Sequence, residues 1–175
     1  KRMKLPDGKL RVAVQGFGNS GFHFARLAAE AGYCIVAVSD SKTGIYREEG
    51  IDPIGTNLFK TEKGELKVAR QCGNSFEEQV CQKISNADLL ELDVDVLVPA
   101  ALENQITEKN ADKLRCKFIA EGANGPTTLE ANRILSDKGI FTIPDILANS
   151  GGVIVSYFEW VQGMQNFFWS EKDVN

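Results

Sequence analysis

The chain has 175 residues, 43% of them hydrophobic and 25% charged, with a formal net charge of −4. That balance suits one globular domain with a full core and excludes a disordered or low-complexity chain. It gives no reason to expect nucleic acid or an anionic membrane as partner, and no apolar stretch reaches membrane-spanning length. The start, Lys1-Arg2-Met3-Lys4-Leu5-Pro6, lacks a signal-peptide core, and residues 1–9 read as a short basic lead. Cys34, Cys72, Cys81 and Cys116 show no CxxC spacing. Reduced packing cysteines in a cytoplasmic protein are therefore expected in preference to disulfides or a metal site. A lone His23 cannot build a multi-histidine site, so no metal is expected.

In chain order, residues 10–15 read as a first strand and residues 20–31 as the helix after it, with Gly32 as its stop. Between them lies Gly16-Phe17-Gly18-Asn19-Ser20-Gly21. Strand, glycine-rich turn and helix in that order form a dinucleotide-binding fingerprint. Gly16 permits a tight turn, Gly18 lets backbone amides approach a pyrophosphate, and Gly21 allows close packing of helix on strand. The helix start adds unpaired N–H donors and a partial positive charge. The bland alternative is a glycine turn and nothing more.

Residues 34–39 form a continuous apolar run, expected of a parallel strand buried on both faces. It ends at Asp40, 24 residues after Gly16, where an acidic residue accepts hydrogen bonds from the adenosine ribose in such folds. A helix cap or loop carboxylate is the alternative for Asp40. Residues 42–76 are irregular: 52–55 and 62–64 look like turns, and only a short helix over 56–61 is expected. Further strands are expected over 94–99, 116–120 and 140–143, and helices over 107–114, 128–138 and 152–169, with Thr107 capping the first of these. The last is apolar around much of its circumference, as if partly covered by something else. Alternating strands and helices predict a single Rossmann-like α/β domain, doubly wound on a mostly parallel sheet. Its expected extent is residues 10–163, with residues 164–175 as a truncated helix end.

Four separated stretches carry a more specific signal. They are Val14-Gln15-Gly16-Phe17-Gly18-Asn19-Ser20-Gly21, Pro99-Ala100-Ala101-Leu102-Glu103-Asn104-Gln105-Ile106, Ala120-Glu121-Gly122-Ala123-Asn124-Gly125-Pro126-Thr127-Thr128, and Pro144-Asp145-Ile146-Leu147-Ala148-Asn149-Ser150-Gly151-Gly152-Val153. Together, and in this order, they resemble the cofactor-binding domain of the glutamate/leucine/phenylalanine/valine dehydrogenase family. Val155-Ser156-Tyr157-Phe158-Glu159-Trp160 looks most like its glutamate-specific members. The resemblance implies reversible NAD(P)-dependent oxidative deamination of L-glutamate to 2-oxoglutarate and ammonia, in a homo-oligomer, hexameric by resemblance. The alternatives are a domain of a leucine, valine or phenylalanine dehydrogenase, or a non-catalytic dinucleotide-binding module.

By the same resemblance Asn19, Ser20, Asp40, Ser41, Ala101, Asn124 and Asn149 are dinucleotide contacts, with Asn124 and Asn149 nearest the nicotinamide. Phe17 belongs to the expected site as part of the glycine turn. Ala100 and Ala101 are small enough for a ring or ribose to lie against the backbone, and the amides of Asn104 and Asn124 suit a carboxamide or ribose hydroxyl. Each asparagine could instead be a turn residue with local bonds. Ser156 matches a serine that helps bind the distal carboxylate of glutamate; its alternative is a bond to its own preceding turn. The catalytic groups of the family belong to an N-terminal substrate domain, so none is expected here and the chain reads as an excised cofactor domain. NAD is the expected cofactor because Asp40 would repel a 2′-phosphate, with NADP possible because Ser41, Lys42 and Thr43 follow at once.

Overall fold

The structure, a computed structural model, describes residues 9–63, 66 and 81–174. Strands β1 (Arg11–Gln15), β2 (Cys34–Ser39), β3 (Gly44–Tyr46), β4 (Gln82–Ile84), β5 (Val96–Pro99), β6 (Phe118–Ala120) and β7 (Phe141–Ile143) form one sheet. Their spatial order is β4-β3-β2-β1-β5-β6-β7. The pairs β1–β2, β1–β5, β5–β6 and β6–β7 are parallel; β2–β3 and β3–β4 are antiparallel. The sheet is thus mostly parallel, as the sequence predicts, with an antiparallel edge that the irregular stretch after Asp40 conceals.

Helices α1 (Asn19–Glu30) and α2 (Pro53–Lys63) lie on one face; α3 (Asn86–Leu90), a 3-10 turn (Ala111–Lys113) and α4 (Leu129–Asp137) lie on the other. Strand alternation divides the core accordingly. Val12 and Val14 pack with Phe17, Ala25 and Ala28 on the α1 face, while Ala13 and Leu97 pack with Leu89, Ala131 and Leu135 opposite. A chain wound on both faces of a mostly parallel sheet is what buries Val36, Ala37 and Val38 completely.

Several elements differ from expectation for local reasons. Asp52 and Pro53 start α2 instead of a turn. The Asp52 carboxylate accepts the N–H groups of Ile54 and Gly55, and proline fits the first helical position, whose N–H has no helical partner. The expected helix over 107–114 is reduced to the 3-10 turn. Asn110 accepts the Thr107 N–H and donates to the Gln105 carbonyl, and Ile106 is bridged to Thr127, so this backbone is drawn into loop contacts. A run of eight residues gains too little from helix propagation to resist. Thr128, the expected first residue of α4, is its N-cap and accepts the Ala131 N–H, and Gly139 follows the helix at φ +75°.

After β7 come α5 (Asp145–Ala148), α6 (Ser150–Gln165) and α7 (Glu171–Val174). α6 stops at Asn166, in the left-handed conformation at φ +53°, so the predicted helix does not run to 169. It carries Val153, Tyr157, Trp160 and Met164 exposed. Cys34 and Cys116 are free, but Cys81 is disulfide-bonded, against the expectation that all four cysteines are reduced. Its partner, and the expectation for Cys72, lie outside the described residues. Among the described residues no helix is long and apolar enough to cross a membrane.

At the amino ends of the central strands, Asp95 is 8% exposed. Its carboxylate accepts the Arg11 N–H at 2.8 Å and the Lys117 ammonium at 2.6 Å, joining β1 to the approaches of β5 and β6. Burial works to raise the Asp95 pKa, but Lys117 and the Arg11 amide outweigh it and hold the carboxyl below its ordinary 3.8. A group with a depressed folded pKa stabilises the fold above its unfolded pKa and loses that contribution as pH falls through the folded value. Asp95→Asn is therefore expected to lower stability at pH 7 by about 1–2 kcal/mol, discounted because Lys117 is half exposed. The gap between variant and wild type should begin to narrow below about pH 4 and close only as pH falls through the lower folded value. Urea unfolding at pH 7 and pH 3 measures both.

Candidate functional site

The glycine-rich turn leaves the carboxyl end of β1, the strand at which the chain changes direction across the sheet, with β2 on one side and β5 on the other. Three glycines do three separate jobs there. Gly16 adopts φ +93°, and a Cβ on it would lie 2.7 Å from the Ala100 backbone. A Cβ on Gly21 would lie 2.0 Å from the Gly16 carbonyl oxygen, so α1 can sit on β1 only because Gly21 has no side chain. Gly18 has ordinary extended dihedrals, φ −89° and ψ −160°, and a Cβ on it would meet nothing within 4 Å.

The amides of Gly16 and Phe17 both donate to the Ser39 carbonyl, at 2.9 and 2.6 Å, and so fasten the turn to the end of β2. Asn19, Ser20 and Gly21 open α1 with no side-chain cap, and among the described residues their N–H groups have no partner. An open first turn of a helix favours an anion through its donors and its dipole. Phe17 does not face this space. Its side chain is 1% exposed in the core, edge-on to Phe22, and its carbonyl accepts the Lys60 ammonium. Its role is packing.

Asp40 follows β2 on the same edge of the sheet. Its Oδ1 accepts the Lys42 and Thr43 amides at 2.8 and 2.9 Å, and its Oδ2 accepts the Leu66 amide at 2.9 Å. Burial alone would raise its pKa, but the Leu66, Lys42 and Thr43 amides and the positive Lys60 pull it below the ordinary 3.8. The carboxylate is thus an anion that shapes its own loop, with one acceptor position on Oδ2 left over. Asn86 braces it from behind, donating to the Asp40 carbonyl at 2.8 Å while its own carbonyl accepts the Ser39 hydroxyl. Ser41 is exposed beside it.

The other half of the site is a polar cleft of about 510 Å³, lined by Ser20, Ala100, Ala101, Asn124 and Asn149 together with Leu102, Glu103, Gly122, Ala123 and Val153. Its floor depends on small residues: Ala100 lies between Gly16 and Gly122, and a Cβ on Gly122 would come within 3.1 Å of the Ala100 methyl. Asn149 donates to the Asn124 side-chain oxygen at 2.7 Å, so the two amides form one unit. Asn104 is not part of the lining. It sits at φ +54° with its N–H bonded to the Gly125 carbonyl, as a turn residue. Ser156 lies on α6, exposed, with its hydroxyl donating to the Gly152 carbonyl at 3.1 Å. It would have to rotate off that carbonyl to donate to a substrate.

Two sets of residues carry no local signal in the sequence. Lys60 reaches the glycine turn from α2, its ammonium 5.9 Å from the centre of the Phe17 ring, across a separation of 43 residues. Glu121 and Asp145 lie inside quoted motifs, but only the fold shows what their carboxylates bind. Among the described residues no group of histidines, cysteines and carboxylates could hold a metal ion.

Sheet order, switch-point turn and cleft together define a doubly wound α/β domain of the Rossmann class. The sequence pattern of the Glutamate/Leucine/Phenylalanine/Valine dehydrogenase family matches residues 2–175, and the chain belongs to that family. It is 53% identical over 169 residues to an NADP-specific glutamate dehydrogenase of Synechocystis, covering 94% of this chain and 38% of that protein. It is 49% identical over 164 residues to the cryptic catabolic NAD-specific glutamate dehydrogenase GudB of Bacillus subtilis, covering 94% and 36%. The hetero-hexameric glutamate dehydrogenase of Thermus thermophilus superposes with a TM-score of 0.82 at 32% identity, covering 95% of this chain and 37% of that one. The chain thus spans little more than a third of the length of these relatives.

The glycine geometry separates folding from binding. Gly18→Ala adds a methyl that meets no protein atom, so thermal stability should change by less than about 0.5 kcal/mol. NADH affinity should fall about tenfold, because the methyl enters the space a phosphate would need. Gly21→Ala should instead lower the melting temperature outright, with several kcal/mol at stake from overlap with the Gly16 carbonyl. Thermal melts and NADH fluorescence titrations of the two variants check this contrast.

Proposed function

We propose that this chain is the cofactor-binding unit of a glutamate dehydrogenase, catalysing the reversible oxidative deamination of L-glutamate to 2-oxoglutarate and ammonia with NAD, and less readily NADP. The observation that carries the reading is the convergence of the four motifs at the carboxyl ends of β1, β5, β6 and β7, around one cleft floored by Gly122 and Ala100. The names of the Synechocystis and Bacillus relatives support the amino acid and admit either cofactor.

In this reading the residues have distinct tasks. The open first turn of α1 and the space beside Gly18 take the pyrophosphate, and Ser20 adds a hydroxyl. Asp40, with Ser41 beside it, meets the adenosine ribose through its remaining acceptor position. Ala100 and Ala101 let a flat ring approach the backbone, and the Asn124–Asn149 pair faces the nicotinamide carboxamide. When bound, the nicotinamide accepts hydride from the α-carbon of glutamate. Glu103 is the only titratable side chain among the described residues of the cleft lining, so proton transfer is assigned to groups beyond them. The chain by itself should bind NADH yet give no glutamate-dependent NADH formation; turnover above that of a blank preparation would overturn this division of labour.

The whole protein is proposed to be a cytoplasmic homo-oligomer. The hetero-hexameric Thermus relative supports an oligomer, its single kind of subunit being part of the proposal. The free thiols of Cys34 and Cys116 support a reducing compartment, while the Cys81 disulfide stands against a fully reduced chain. Ser156 is proposed to hold the distal carboxylate of glutamate. Losing one hydrogen bond to a charged group costs about 1.5–3 kcal/mol, so Ser156→Ala in the whole enzyme should lower kcat/KM for glutamate about ten- to a hundredfold. Steady-state kinetics on glutamate show directly whether it does.

Cofactor choice follows from charge. Two unit charges of like sign about 4 Å apart repel by roughly 4 kcal/mol at an effective dielectric of 20, and the nearby Lys60 offsets part of this for Asp40. NAD should therefore bind more tightly than NADP to this chain. Asp40→Asn, which keeps one acceptor oxygen for the loop amides, should narrow that preference about five- to tenfold. Calorimetric titration of both proteins with both cofactors reads the ratio; an unchanged ratio would mean that Asp40 does not set it.

A further inference from the structure

We propose that Glu121 and Asp145 are positioning residues that fix the distance between the loops carrying Asn124 and Asn149, and so orient the nicotinamide end of the cofactor. The inference rests on the dinucleotide reading above and goes beyond it by assigning a task to two carboxylates that do not line the cleft.

The two acids tie the same pair of loops in opposite directions. Glu121, at the end of β6, is 5% exposed and its Oε2 accepts the Asp145 amide at 2.9 Å. Asp145, at the start of α5 after β7, returns the contact: its Oδ2 accepts the Gly125 amide at 2.8 Å, immediately after Asn124. The Glu121 amide in turn donates to the Ile143 carbonyl at 3.1 Å. These three bonds flank Asn124 in the chain, through Glu121 before it and Gly125 after it, and all reach the Asn149 segment on its approach, at Ile143 and Asp145. A third loop joins the set, since the Asn104 amide donates to the Gly125 carbonyl at 2.9 Å and the Ala123 amide to the Pro99 carbonyl. Asn124 sits on an irregular loop, so the direction of its side chain is set by such bonds. Asn149 is the single turn residue between α5 and α6, and its direction is set by the start of α5, which Glu121 and Asp145 anchor.

Burial makes the arrangement informative. The Oε1 of Glu121 is buried with no hydrogen-bond partner. Burying that oxygen unpaired costs free energy that an alanine or leucine would not incur, and the bond from Oε2 to the Asp145 amide is what the carboxylate gives in return. Asp145 is only partly buried, so its contribution is geometric more than energetic.

The test uses the 175-residue chain and two ligands. NADH fills both halves of the site, and its dihydronicotinamide fluorescence reports the surroundings of that ring; ADP fills only the adenosine half. Asp145→Ala and Glu121→Ala should each weaken NADH binding about tenfold and reduce the fluorescence enhancement on binding, while ADP affinity stays within twofold of wild type. Asp145→Asn and Glu121→Gln, which keep an acceptor oxygen, should restore most of the NADH affinity. If Glu121→Ala does not fold, the Asp145 pair decides the matter alone. Parallel loss of NADH and ADP affinity, or no loss of NADH affinity, overturns the positioning role while leaving the dinucleotide reading intact. A wild-type chain that binds ADP and NADH equally, with no fluorescence change, removes the nicotinamide assignment and this inference with it. Failure of the wild type to bind either ligand overturns the dinucleotide reading itself.

Discussion

The approach of α1 to β1 is the contact on which the arrangement of this domain depends. With 2.0 Å separating the position of a Gly21 Cβ from the Gly16 carbonyl, any side chain at residue 21 would push the helix off the strand. The same turn presses on β5, where the Ala100 backbone lies within 2.7 Å of a Gly16 Cβ position, and Ala100 presses in turn on Gly122 beyond β6. Three strand ends are therefore brought together by the absence of side chains at three glycines and the smallness of one alanine. The cleft opens where they meet, because the sheet changes winding direction there and leaves no connection crossing above it.

Hydrogen bonding supplies what close packing cannot, namely the direction of side chains on loops. Asp40, Asp52, Asp88 and Asp145 all accept backbone amides of neighbouring residues, and Asp40 reaches as far as the Leu66 amide. A carboxylate used this way satisfies donors that a loop would otherwise leave to water and fixes the backbone at the same time. At Asp40 such a structural use leaves room for one more donor. Two bonds from its own loop and one from Leu66 hold the charge in place, and an acceptor position remains. The Ser156 hydroxyl is likewise engaged by the backbone, donating to the Gly152 carbonyl one turn before it.

The two faces of the sheet are unequally covered. α3 closes one face over β1 to β3, and the 3-10 turn and α4 cover it beside β5 and β6, with Ile119, Leu114 and Leu135 almost fully buried. On the other face α1 and α2 cover the β1–β2 side, and an apolar groove of about 480 Å³ remains between Phe24 and Leu27 of α1 and Phe118 and Ile143 of the far strands. α6 adds exposed Trp160 and Met164. Apolar area on this scale is unfavourable in water.

The sequence by itself determined the strongly patterned parts. β2 matches its apolar run residue for residue, and β1, α1 and α4 fall within two residues of their expected limits. These segments are buried on both faces or along one stripe, so core formation writes itself into the order of residues. It also determined which loops meet, since the glycine spacing and the three later motifs each follow a strand end. What it could not hold were features set by distant partners. β3 and β4 have three residues each, too few for a period, and exist because β2 offers an edge to pair with. The expected helix over 107–114 gave way to a 3-10 turn, its entry held by Ile106, which bonds to residues 126–128. Phe17 stands in the fingerprint yet faces the core, Asn104 stands in a motif yet makes a turn, and Lys60 reaches the glycine turn from 43 residues away. The bonds from Glu121 to Asp145 and from Asp145 to Gly125 likewise span 24 and 20 residues. Periodicity and spacing record only what a residue does for its own element, whereas the direction of a loop side chain is decided by whichever donor or acceptor the tertiary fold brings beside it.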